Sequence, residues 1–169
     1  MTLRNDTVKN VIFVTSLILA VVWMCVIFGF SANNAEESTV QSNAVTEMII
    51  RIFNPDFDNL TDAEKEEMIE MYDGRVRKLA HFCAYALLGF LLSISSCNVP
   101  FSIKVPYLWP FVVCFVFAMT DEYHQTFVDG RAGRFSDVII DSSGAICGIA
   151  FLFIIMSVIK KKINAKRGA

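Results

Sequence analysis

Four groups of residues in this chain are equipped for chemistry: Arg77-Lys78-Leu79-Ala80-His81, Asp121-Glu122-Tyr123-His124-Gln125, Asp129-Gly130-Arg131, and the pair Asp137 and Asp141. Lys78 and Arg131 can hold a phosphate or carboxylate by charge-assisted hydrogen bonds, and a guanidinium offers a bidentate fork. His81 and His124 can move protons near neutral pH, tuned by Glu122 or Asp121. Asp137 and Asp141 can orient a water or hold a hard cation. Each group lies inside or against a stretch apolar enough to cross a bilayer. A charge at the bilayer centre costs roughly 2.5–3.5 kcal/mol even on the lenient scale. These side chains must therefore face one another, a cavity or a head group.

Spacing says which of them share a face. Lys78, His81, Tyr85 and Gly89 are three, four and four residues apart, one side of a helix. Asp137, Asp141, Gly144 and Gly148 form a second such side. Gly144-xxx-Gly148 admits a close neighbour, so that side and its aspartates point into the bundle. Asp121, His124 and Gln125 share a third face, with Glu122 about a quarter turn away.

The elements that must position these faces are helices. Of the 169 residues, 54% are hydrophobic, with 15 basic against 17 acidic side chains. Val11 to Phe30 is an uncharged apolar run matching the ~20 residues a spanning helix needs, and no A-x-A-like cleavage site follows it. It is expected to be a retained helix. Further apolar stretches follow at Leu79–Cys97, Tyr107–Thr120 and Val138–Ile159. The expected fold is all-α, an integral membrane four-helix bundle with spans near 10–30, 78–97, 106–127 and 137–159. The third reaches full length only by running on through Asp121 to Phe127, which takes charge to membrane depth.

Between the first two spans, residues 31–74 read as a helical extracytoplasmic loop. Val45, Met48, Ile49, Ile52 and Phe53 fall at helical spacing, as in an amphipathic surface helix broken by Asn54-Pro55. Thr61-Asp62-Ala63-Glu64 reads as a capping box opening a short helix to about Tyr72, with Gly74 ending it before the second span. Val99-Pro100 and Val105-Pro106 bound an inner turn, and Asp129 to Ser136 form a tight outer loop. Cys25, Cys83, Cys97, Cys114 and Cys147 are widely spaced, form no CxxC, and read as small packing residues. No phosphate-binding loop or dinucleotide fingerprint is present.

The net charge of −2 is segregated. The tail, 160–169, carries Lys160, Lys161, Lys162, Lys166 and Arg167, and the first turns carry Arg4 and Lys9. Basic flanks mark the cytoplasmic side, so both termini are expected inside a multi-pass membrane protein, with the tail against anionic head groups. Arg75, Arg77 and Lys78 then lie on the outer side, against that bias. A functional demand there would explain the exception. In this topology the polar groups of the last three spans converge at the outer leaflet. Their number exceeds what helix association requires, since polar contacts in membranes average only ~0.6 kcal/mol each.

The ordered set Lys78-x-x-His81-Phe82-x-x-Tyr85-x-x-x-Gly89, Glu122-x-x-Gln125-x-Phe127-x-x-Gly130-Arg131 and Asp137-x-x-x-Asp141-x-x-Gly144-x-x-x-Gly148 resembles the VanZ-like family of small bacterial membrane proteins. Phe28-Gly29-Phe30-Ser31, with Ser38 and Ser42, also looks like the family's passage into its outer loop. The resemblance covers about Phe28 to Phe151. This chain departs from family habit at Ala84, where some members carry an acid, at Asp129, where many carry proline, and at Asp141, where asparagine is common. The resemblance implies a four-helix membrane protein, and a named relative gives low-level resistance to teicoplanin, a lipoglycopeptide.

Two functions are expected to compete. In the first, Lys78, His81, Tyr85, Glu122, Gln125, Arg131 and Asp137 recognise an anionic ligand held by a lipid: a membrane lipid, a lipid-linked cell-wall precursor or a lipoglycopeptide. In the second, His81, Glu122, His124, Asp137 and Asp141 run acid–base chemistry on a lipid head group, by hydrolysis or group transfer. A transporter using these groups as a proton relay is a third reading and would need a homodimer, four helices being few for alternating access. Nothing points to a nucleic-acid partner, no metal ligands are assigned, and the cofactor, if any, is left open.

Overall fold

The computed structural model describes residues 2–99 and 106–167, so the turn between Val99-Pro100 and Val105-Pro106 lies largely outside the described residues. The described residues form five α-helices and one 3₁₀ turn, with no strand among them. They are α1 (Thr2–Ser31), α2 (Ala35–Phe53), α3 (Asp62–Asn98), α4 (Leu108–Gln125) and α5 (Phe135–Arg167), with the 3₁₀ turn at Phe57–Asn59.

Among the described residues, α1, α3 and α5 are long and apolar enough to cross a membrane. α4 has 18 residues and carries Asp121 and Glu122 in its last two turns. Large apolar side chains such as Val11, Ile18, Val116, Ile146 and Phe151 stand exposed on the helix flanks. In water that much apolar surface is a liability; against hydrocarbon it costs nothing.

The helices begin and end for local reasons. Thr61 caps α3: its hydroxyl accepts from the Glu64 N–H, and the Glu64 carboxylate accepts from the Thr61 N–H at 2.8 Å, the capping box read from the sequence. Gly74 does not stop the helix that follows. α3 runs unbroken for 37 residues, about 55 Å at 1.5 Å per residue, well beyond a ~30 Å hydrocarbon core. A glycine inside a helix costs about 1 kcal/mol. Here the turn around it is held by Asp73, buried and paired with Arg77, and by the Arg77 guanidinium donating to Thr39 Oγ1 on α2 at 3.3 Å. α5 continues through the lysine-rich tail to Arg167.

Chain direction alternates. Ser16 meets Ser95 at 2.7 Å and the Trp23 indole donates to the Ala84 carbonyl at 2.9 Å, so α1 and α3 are antiparallel. Phe82 lies against Gly144 and Phe90 against Phe151, so α3 and α5 are parallel. Tyr107 packs on Phe153 while Glu122 meets Arg134, so α4 runs opposite to α5. Tyr85, Leu88, Leu92, Cys114, Ala118, Val138 and Ala145 fill the shared core with Ala20 and Ile27 of α1. The cysteines are free, and Cys114 alone is buried.

Gly144 and Gly148 set the α3–α5 distance. A methyl group at either would run into a backbone carbonyl of α3, that of Phe82 or of Ala86. The Ser16–Ser95 bond is a lesser tie. Ser95→Ala is expected to cost about 0.6 kcal/mol, the average for such bonds in membranes. A thermal melt of the purified protein should move by about 2 °C at most.

Candidate functional site

The direction of the helices brings one end of each together: the C-terminal ends of α1 and α4 and the polar N-terminal turns of α5, beside the middle of α3. Because α3 and α5 are parallel and in close contact, their polar faces form rungs. Lys78 Nζ lies 3.0 Å from Asp137 Oδ1, and one turn deeper His81 Nδ1 lies 3.8 Å from Asp141 Oδ1.

α4 closes the site from the side. Glu122 Oε2 accepts the backbone N–H of Arg134 at 2.8 Å, and its Oε1 lies 3.3 Å from Gln125 Nε2. Gln125 donates in turn to Ser31 Oγ, the last residue of α1, at 2.7 Å. The loop after α4 folds back over the end of the helices. Gly130 takes φ 72°, a left-handed conformation that favours glycine. Gly133 presses its α-carbon on the Glu122 carbonyl, where a side chain would collide.

A cavity of about 310 Å³ results. Gly74, Arg77, Lys78 and His81 of α3 line it, with Glu122 and Gln125 of α4, Gly130, Arg131, Ala132 and Arg134 of the loop, and Asp137, Ile140 and Asp141 of α5. Four basic residues, Arg77, Lys78, Arg131 and Arg134, are thus among its lining. The Arg131 Nε is buried and meets no hydrogen-bond partner. Burial holds the Arg131 guanidinium below its ordinary pKa, Arg77 pushes the same way, and Asp121 and Glu122 pull against them. It remains a cation, because arginine starts above 12.

The predicted residues are distributed as follows. Lys78, His81, Glu122, Gln125, Arg131, Asp137 and Asp141 all line the cavity. Tyr85 lies outside its wall, fully buried, with its ring 5.9 Å from that of Phe117 and its hydroxyl without a partner. His124 also lies outside the wall, its ring 4.4 Å from that of Phe28 on α1. Two residues, Ser31 and Arg134, contribute without having been assigned to the site, and Asp121, read as a tuner of the histidines, stands beside it. Ser31 accepts from Gln125, Arg134 delivers its N–H to Glu122, and Asp121 is wholly buried. The short spacing from Gly130 to Gly133 was the available signal for the Arg134 contact, since two glycines in a tight loop allow its backbone to approach α4.

Deeper still, His81, Asp121 and Asp141 each present one donor atom, all within 4.8 Å of one another. Two of the three are carboxylates, which makes this the set best suited to a cation.

Glu122 is the clasp of the loop, so Glu122→Ala should free it. The backbone amide of Arg134 is expected to exchange with solvent at least about tenfold faster, corresponding to loss of one charge-assisted bond of about 1.5–3 kcal/mol. Hydrogen exchange read by mass spectrometry over residues 126–138 checks this. An unchanged rate would remove Glu122 from that role.

No curated protein and no solved structure matches the chain. The VanZ/LLP1 family model does, over residues 16–157, a stretch holding α2, α3, α4, the C-terminal half of α1 and most of α5. Every cavity-lining residue falls within it. By that match over most of its length, the chain is a member of the VanZ/LLP1 family.

Proposed function

We propose that this is a multi-pass protein of the bacterial cell membrane whose cavity recognises an anionic, lipid-borne ligand from the extracytoplasmic side. α4 supplies the fourth span of a four-helix bundle, with α2 and the 3₁₀ turn as its outer cap. Both termini lie in the cytoplasm: the lysine-rich end of α5 is opposite the cavity, and basic flanks stay inside.

One observation carries the ligand reading. Arg77, Lys78, Arg131 and Arg134 line a cavity between apolar helices, and Arg131 holds a buried donor that no described protein group takes up. Such a donor is costly unless a ligand accepts from it. A phosphate or carboxylate would do so, while the apolar helix flanks accompany acyl chains. Membrane phospholipids, lipid-linked cell-wall precursors and lipoglycopeptides all combine these two features. A protein of this kind contributes to envelope lipid handling or to teicoplanin resistance by holding such a molecule.

The test uses full-length protein in detergent, titrated with short-chain phosphatidic acid and, in parallel, short-chain phosphatidylcholine. Saturable binding of the first, weakened by salt, supports the reading. Equal binding of both lipids, or salt-insensitive binding, sinks it.

A further inference from the structure

We propose that His81, Asp121 and Asp141 form a binding site for one divalent transition cation at the floor of the cavity. The site holds whether or not the cavity above takes a lipid.

The three donors come from three different helices, α3, α4 and α5, and gather within 4.8 Å. Asp121 and Asp141 are both 0% exposed; neither carboxylate oxygen of Asp141 meets a donor, and Asp121 has beside it only Ser31 and Gln125, which are already bonded to each other. Among the described residues no lysine or arginine pairs with either. Lys78 is engaged by Asp137 and Arg77 by Asp73. The imidazole of His81 stands 3.8 Å from Asp141, within ion-pair distance.

Two adjacent bare carboxylates in the interior cost several kcal/mol each and repel one another. Hydrogen bonds are the usual remedy, and here only Ser31 and Gln125, both beside Asp121 and neither beside Asp141, are placed to supply them. A dication offsets both charges at once. Ligands about 2.1 Å from a metal lie roughly 3–4 Å apart, so side-chain rotations of under about 1 Å would close this set. One imidazole with two carboxylates is a mixed donor set that suits zinc or manganese better than calcium, which prefers oxygen alone. The opening toward Lys78 and Arg131 would leave coordination positions for water or for an anionic oxygen.

The experiment uses the full-length protein in detergent, stripped with a chelator and then given zinc, manganese or cobalt. One ion per chain is expected by elemental analysis after desalting. Asp121→Asn and Asp141→Asn should each weaken zinc binding at least a hundredfold, since loss of outer-shell partners alone costs 10–100-fold. Arg51→Ala, on a surface pair remote from the cavity, should bind as the parent does. Should an asparagine variant misfold, the parent protein decides: cobalt bound by nitrogen and oxygen shows visible d–d bands, and these should titrate to one equivalent and vanish on adding zinc. Substoichiometric uptake, absence of those bands, or asparagine variants that bind as tightly as the parent would overturn the proposal. Metal binding without lipid binding retains this site and removes the ligand reading; the converse removes this site alone.

Discussion

Leucine in place of Gly148 is expected to push α3 from α5 and destabilise the folded protein. The α-carbon of Gly148 faces the backbone carbonyl of Ala86, and that carbonyl belongs to a helix that cannot retreat locally. A flexible side chain could move aside; a helix backbone must shift as a unit. Moving α3 outward would separate Lys78 from Asp137 and His81 from Asp141, because both rungs cross the same interface. Overpacking costs typically 1–3 kcal/mol, and a backbone collision belongs at the upper end. For a protein of this size about 3 kcal/mol lowers the melting temperature by roughly 6–12 °C. Gly148→Ala should produce a smaller fall in the same direction. Gly29 is the internal comparison: a side chain there meets nothing within 4 Å, so Gly29→Leu should melt with the parent protein. If Gly148→Leu and Gly29→Leu melt alike, the close approach of α3 and α5 is not what holds the bundle.

The second large effect concerns Arg131. Its guanidinium is partly buried over the cavity, carries an unused Nε–H, and forms no ion pair with the acids around it. Arg131→Ala should weaken binding of short-chain phosphatidic acid by about 10–100-fold, the equivalent of a lost hydrogen bond to a charged group at 1.5–3 kcal/mol. Arg131→Lys retains the charge and loses the planar fork. It should therefore recover only part of the loss, and the size of that part measures how far geometry matters beyond charge. Lys78→Ala acts differently, because Lys78 already has a partner. Removing it leaves Asp137 to repel the incoming anion, so its effect should shrink as salt rises. Full affinity in Arg131→Ala would show that the unused donor is not part of the recognition.

Much of this arrangement was legible because it depends on local spacing. The apolar runs of α1 and α5, the Thr61–Glu64 box and the Gly144-xxx-Gly148 face are statements about neighbours along one helix. The faces carrying Lys78 with His81 and Asp137 with Asp141 were legible for the same reason. What pairs with what was harder. Lys78 meets Asp137 only because α3 and α5 are parallel and close enough to touch, a property of two segments more than 50 residues apart. Gly74 was misleading. Its low helix propensity is a local cost, and the Asp73–Arg77–Thr39 contacts that outweigh it require α2 to have docked already. His124 shared a sequence face with Asp121 and Gln125, yet its ring turns toward Phe28 while Gln125 reaches Ser31. A helical face is about 100° wide, and neighbours at its two edges can meet different helices.

The unbroken course of α3 has a mechanical consequence. Arg77, which donates to Thr39 on α2, is the residue next to Lys78, with no joint between them. A displacement of α2 is therefore expected to carry Lys78 with it, because Thr39 holds the residue beside it.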